Sequence, residues 1–256
     1  MYILRSCMEK KVLKIGQISD AHIGDDDRLV QDIDVRKNFL TAYNSESMKD
    51  LDLLVLSGDL ADNASTDAYS FIAGVIKDSK VPVCIIPGNH DNLEVMEKVF
   101  DLKDKVHNGK CYYRYDLDGR SIFFLDSADG TVSSDQLSWL EQETAKIDGE
   151  VLLFLHHPPC LCGHKFMDLR YSMKNIAEVQ ATLSKIKNLK HIFVGHYHSE
   201  MTIQLEDKTV YVTPSTQMQI DPNITVFCLS SAAPRWRLIE WGENFMETKV
   251  YFSNTP

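Results

Sequence analysis

Short apolar runs, each closed by a polar turn and followed by a stretch of helical periodicity, recur along most of the chain. The runs are Val12–Ile18, Leu51–Leu56, Val81–Ile86, Ser121–Leu125, Val151–Leu155 and His191–Val194. Helical patterns follow at 29–49, 65–79, 92–103, 133–146 and 175–187. The runs are continuous rather than alternating, which suits strands buried on both faces of a helix-covered sheet. Beyond His198 the pattern changes to paired strands at Met201–Leu205, Val210–Thr213, Thr225–Leu229, Trp236–Glu240 and Glu247–Phe252. Asp118-Gly119 marks a hairpin between Tyr112–Leu117 and Ser121–Leu125. The pattern predicts an α/β protein of two stacked mixed sheets with helices on the outer faces. With no repeat, low-complexity stretch or linker, residues 12–256 read as one domain behind an N-terminal extension, 1–11.

Composition narrows the partners. The chain has 256 residues, 44% apolar and 25% charged, with a formal charge of −10, and a pI near 5.3. That acidity argues against duplex nucleic acid, whose phosphates need a basic face. A phosphate substrate would be repelled too, unless cations at the site reverse the field locally. Six cysteines are scattered without a CxxC pair, as in a reduced, cytoplasmic protein. Cys84 and Cys228, in apolar runs, read as core residues. No apolar run reaches the roughly 18 residues of a membrane helix, and the N-terminus lacks a signal-peptide core. Membrane insertion is not expected.

Five strand ends carry metal-type residues. They are Ser19-Asp20-Ala21-His22, Ser57-Gly58-Asp59, Pro87-Gly88-Asn89-His90-Asp91, His156-His157-Pro158-Pro159 and Gly195-His196-Tyr197-His198. A lone Asp-x-His is more often a capped loop, and a Gly-Asp after a strand is commonly a turn. Five such ends in order, each after an apolar run, are a different matter. In an open sheet flanked by helices they converge beyond the carboxyl edge, where ligands bind. Oxygen and imidazole donors without sulfur suit Mn, Fe, Co or Zn ions.

Taken together, Asp20-x-His22, Gly58-Asp59, Gly88-Asn89-His90-Asp91, His156 and Gly195-His196-x-His198 resemble the calcineurin-like metallophosphoesterase family. Ser57–Asp62, Leu155–Pro159, Thr213–Gln217 and Ala233–Trp236 resemble its bacterial class III cyclic-nucleotide phosphodiesterases and related glycerophosphodiesterases. The resemblance implies a four-layer α/β/β/α sandwich and two divalent or trivalent metal ions. Asp20, His22 and His198 would hold one ion, Asn89, His156 and His196 the other, and Asp59 would bridge. His156 rather than His157 is the expected ligand. His90 would face the leaving group as general acid or phosphate donor. Asp62 would orient His90, or else cap the helix that follows.

The implied reaction is phosphodiester hydrolysis by a metal-bridging hydroxide, on a 3′,5′-cyclic nucleotide such as cyclic AMP. Two divalent ions, two carboxylates and a hydroxide leave about +1, which a diester monoanion neutralises. The alternatives are a glycerophosphodiesterase or another phosphoesterase on the same site, or a non-catalytic scaffold. Intact ligands and His90 argue against the scaffold. Specificity is expected from Asp25–Arg36, His164–Asn175 and Ser215–Pro222, and dimerisation by analogy with relatives.

Overall fold

The computed structural model describes residues 12–243 and 245–253, so the 1–11 extension lies outside it. In chain order the first half runs β1 (Leu13–Ile18), α1 (Val35–Tyr43), β2 (Leu53–Ser57), α2 (Thr66–Ile76), β3 (Val83–Ile86), α3 (Leu93–Phe100), β4 (Val106–His107), β5 (Lys110–Cys111), β6 (Tyr113–Leu117) and β7 (Arg120–Phe124). The second runs α4 (Ser134–Thr144), β8 (Val151–Phe154), α5 (Met167–Arg170), α6 (Ile176–Leu183), β9 (Leu189–Val194), β10 (Met201–Leu205), β11 (Lys208–Val212), β12 (Gln219–Ile220), β13 (Leu229–Ser231), β14 (Arg235–Trp241) and β15 (Met246–Phe252).

These strands form two principal mixed sheets, in the orders β15-β14-β1-β2-β3 and β10-β11-β9-β8-β7-β6. The expected α/β class holds. In each sheet the site-bearing strands are parallel: β1 with β2 and β2 with β3, and β8 with β9. All of them therefore release the chain at one edge.

Side-chain alternation divides the interior. Ile122, Phe124, Leu152, Phe154 and Phe193 share a core with the five-stranded sheet and with α1, α2 and α3. Their neighbours Phe123, Leu153, Ile192 and Val194 point the other way, into a core with α4 and α6. A buried polar network crosses between the sheets just beneath the site. Gln17 Nε2 donates to Ser57 Oγ at 2.9 Å, Thr213 Oγ1 to Gln17 Oε1 at 2.6 Å, and Arg237 Nε to Thr213 Oγ1 at 2.9 Å. Such a network is satisfied in only one register, so it fixes how the sheets face each other.

The expected 29–49 helix is shorter. Gln31 and Asp32 have left-handed backbones, and Val30 bridges Ile33. Helix α1 starts only where the Asp34 carboxylate accepts from Lys37 N. Thr225–Leu229 is not a strand either: pairing is confined to β13 against β12, and Val226 and Phe227 are exposed. Cys228 is accordingly only half-buried, whereas Cys84 is core as expected. Among the described residues no helix is long and apolar enough to cross a membrane.

Candidate metal centre

Five strand ends meet between the sheets. Backbone hydrogen bonds lace them together: Asp20 N to Gly58 O at 3.0 Å, His22 N to Asp59 O at 2.9 Å, and Gly195 N to His156 O at 3.0 Å. Carboxylates add cross-links, with His196 N donating to Asp20 Oδ2 at 3.0 Å and His90 N to Asp59 Oδ1 at 2.8 Å. Asp20, His22, Asp59, His196 and His198 all have positive φ, between 45° and 68°. Left-handed backbone at five non-glycine residues is costly and gathers where surrounding structure enforces it, typically at functional sites.

Among the described residues, three groups of donor atoms that could hold a cation each lie within 4.8 Å of one another: Asp20 with His22 and His198, Asp59 with His156 and His196, and His22 with Asp62 and His90. Asn89 lines the same cavity. His22 Nε2 and His198 Nε2 face each other at 3.1 Å. Asp59 Oδ2 lies 3.7 Å from His22 Nε2 and 3.2 Å from His156 Nε2, between the groups.

The donor set fits a pair of cations. His156 Nε2 is fully buried and, although close to Asp59, makes no hydrogen bond. Three imidazoles give their other nitrogen to a carbonyl: His156 Nδ1 to Ser57 O at 2.8 Å, His198 Nδ1 to Met218 O at 3.1 Å, and His196 Nε2 to Tyr171 O at 2.9 Å. An imidazole held this way aims its remaining nitrogen at the centre, where a cation would take the place of any proton there. Burial opposes ionisation of Asp20 and Asp59, yet the neighbouring histidines, His156 foremost, outweigh it. Asp20 is held at about 2 and Asp59 well below the usual carboxylate range. Burial also opposes charge on His156, but Asp59 and Asp20 raise it to about 10. Positive charge is called for at this point. Burial drives His22 to about 3 and His196 to about 4, so both are neutral donors.

Residues 13–200 match the family model described as calcineurin-like phosphoesterase. The chain belongs to that hydrolytic family. This phosphoesterase is 33% identical over 199 residues to the 3′,5′-cyclic adenosine monophosphate phosphodiesterase CpdA of Escherichia coli K12, covering 75% of this chain and 70% of the relative. It is 32% identical over 222 residues to a probable glycerophosphodiester phosphodiesterase GpdQ of Arcobacter nitrofigilis, covering 81% and 80%. Its fold matches that of a dimetal phosphatase from Danio rerio with TM-score 0.68 at 14% identity, covering 94% of this chain and 99% of that one.

Several expected roles are redistributed in the phosphoesterase. His90 Nδ1 donates to the Asp62 backbone carbonyl at 3.0 Å, not to its carboxylate, which lies 3.8 Å from His22 Nδ1. Nor does Asp62 cap the following helix: Ser65 does, accepting from Ala68 N. His157 is turned aside, Nδ1 against Ser127 Oγ at 3.0 Å. Ser215 and Thr216 brace the Asp20 loop, Ser215 Oγ donating to Asp20 O at 2.7 Å and Thr216 N to Ser19 O at 3.2 Å. Gln217 and Met218, instead, reach the cavity.

Asp91 has a part that sequence alone did not reveal. Its carboxylate accepts from the backbone of Leu60, Ala61 and Gly88 and from Tyr69 Oη, clamping the Asp59 and Asn89 loops together. The cavity over the centre measures about 340 Å³. All three expected specificity segments contribute to it, through Gln31, through Phe166, Met167 and Tyr171, and through Gln217, Met218 and Ile220. Phe227 joins them; it was hidden in a stretch whose apolar pattern reads as strand.

Proposed function

We propose that this phosphoesterase is a dinuclear metal-dependent phosphodiesterase acting on 3′,5′-cyclic nucleotides, with cyclic AMP its physiological substrate. Asp20, His22 and His198 would hold one cation and Asn89, His156 and His196 the other, with Asp59 shared between them. Bound there, two such cations would acidify a water to about neutral pH and neutralise phosphoryl charge. The observation that carries the reading is convergence: both donor groups and His90 open on one cavity large enough for a nucleotide.

The protein's own groups supply the rest. His90 Nδ1 donates to the Asp62 carbonyl, so the doubly protonated ring would present Nε2–H to the departing sugar oxygen. The carbonyl partners of His156, His196 and His198 keep those rings aimed. The names of the CpdA and GpdQ relatives support a diester substrate, and the near-neutral charge sum with a monoanion favours a diester over a monoester.

The test is kcat/KM for cyclic AMP, glycerophosphoethanolamine and 5′-AMP with saturating Mn²⁺. Cyclic AMP should rank first. Preference for 5′-AMP would overturn the diesterase reading. Preference for the glycerophosphodiester would leave the chemistry standing and move the substrate to the other relative's class.

A further inference from the structure

One wall of the cavity is not built for a phosphate. It comes from two segments, 164–171 and 221–227, tied together by Lys165 N donating to Pro222 O at 2.9 Å and Arg170 Nη1 to Thr225 O at 2.7 Å. The Arg170 guanidinium also lies over the Phe166 ring, 5.1 Å from its centroid. Phe166 meets Phe227 edge-on at 6.1 Å and Tyr171 at 5.6 Å. The Tyr171 carbonyl is the partner of His196 Nε2, so this wall is held at a fixed distance from the metal-side donors.

Phe227 is 49% exposed and Tyr171 50%, a cost that a ligand covering them would relieve. Amide side chains of Gln31 and Gln217 line the same cavity and offer donors and acceptors together. Aromatic faces combined with amide edges suit a flat heterocycle better than a glycerol or an alkyl chain.

We infer that Phe227, with Phe166 and Tyr171 behind it, forms a base subsite that takes the flat face of the substrate's nucleobase. The assignment rests on the phosphodiesterase reading above and makes the wall the source of preference for nucleotides over base-free diesters. Stacking of a base on an aromatic side chain corresponds to about 5- to 150-fold in affinity.

The experiment compares cyclic AMP with the 3′,5′-cyclic phosphate of 1-O-methyl ribose, the same ring without its base, on Mn²⁺-loaded protein. In Phe227→Ala the ratio of the two kcat/KM values should fall by about 5- to 150-fold, chiefly through KM, and Phe227→Trp should restore it. A ratio that does not move overturns the subsite. So does a change of oligomeric state in Phe227→Ala, which would identify a second copy of the chain as what covers the wall.

If neither cyclic ester is hydrolysed while bis(p-nitrophenyl) phosphate is, the cyclic-nucleotide reading fails on its own. The wall is then decided by inhibition of that reaction. The subsite requires 5′-AMP to inhibit more tightly than ribose 5-phosphate, and Phe227→Ala to abolish the difference. Equal inhibition in the unaltered protein overturns it.

Discussion

His90 is held by one carboxylate and one backbone carbonyl, its N–H donating to Asp59 Oδ1 and its ring Nδ1 to the Asp62 carbonyl, with the His22 ring edge-on at 4.6 Å. Removing the ring should leave metal content intact and lower kcat by about 100- to 10,000-fold if Nε2 transfers a proton. His90→Ala should lose less with p-nitrophenolate, which departs unprotonated, than with an alkoxide. An equal loss with both would mean that His90 acts through charge alone. Asp62→Ala keeps the carbonyl and should fall well short of His90→Ala; a matching loss would discredit the carbonyl account. The contrast also shows what the sequence could disclose. Asp20, His22, Asp59, Asn89, His156, His196 and His198 were legible because each stands just beyond an apolar run and carries a donor. A backbone carbonyl carries no residue-specific signature, so the acceptors at Asp62, Ser57, Met218 and Tyr171 were not.

Strands were read more accurately than the loops between them, because a doubly buried strand writes itself as an uninterrupted apolar run. The 29–34 segment has helical spacing, yet the Gln31–Asp32 turn and the Asp34 cap override it. In the 225–229 run only Leu229 pairs, at the start of β13, while Phe227 lines the cavity. The loops at the site depend on close approach, and Gly195 is the clearest case. A Cβ there would collide with Ser19 Oγ and lie 2.6 Å from Asp20 Oδ2. Both belong to a buried loop pinned by Ser215 and Thr216, so neither can yield freely. Gly195→Ala should cost about 1–3 kcal/mol and weaken metal binding, seen by urea unfolding and by metal analysis after gel filtration. Gly74, in α2 with nothing near its missing Cβ, provides the control: Gly74→Ala should stabilise by up to about 1 kcal/mol. Full metal content and unchanged stability in Gly195→Ala would refute the close-packing argument.

Across the entire phosphoesterase, left-handed donor residues and buried imidazoles are held in place by two sheets registered through Gln17, Thr213 and Arg237. The framework bears this cost at the site, and the metal-free protein should reveal it as acid sensitivity. Burial depresses His22 to about 3 in the folded state, against about 6.5 when unfolded. Between those values the unfolded chain holds the proton and the folded one does not. Stability from this group is therefore present above pH 6.5 and lost progressively as pH falls toward 3, at about 1.4 kcal/mol per pH unit. His196, depressed to about 4, and His157 act in the same direction. Asp91, raised to about 6 by burial and by Asp59, acts against them. The overall pH curve thus mixes opposing groups, and a variant must isolate one. His22→Gln removes the titration and keeps a polar side chain of similar reach. Urea unfolding of both proteins in chelator at pH 6.5 and pH 4.5 gives the comparison. Acidification should cost the unaltered protein about 2 kcal/mol more than His22→Gln, whatever their difference at pH 6.5. Parallel losses would mean that His22 takes up its proton without unfolding, and that the imidazoles of the empty centre are not kept neutral by burial.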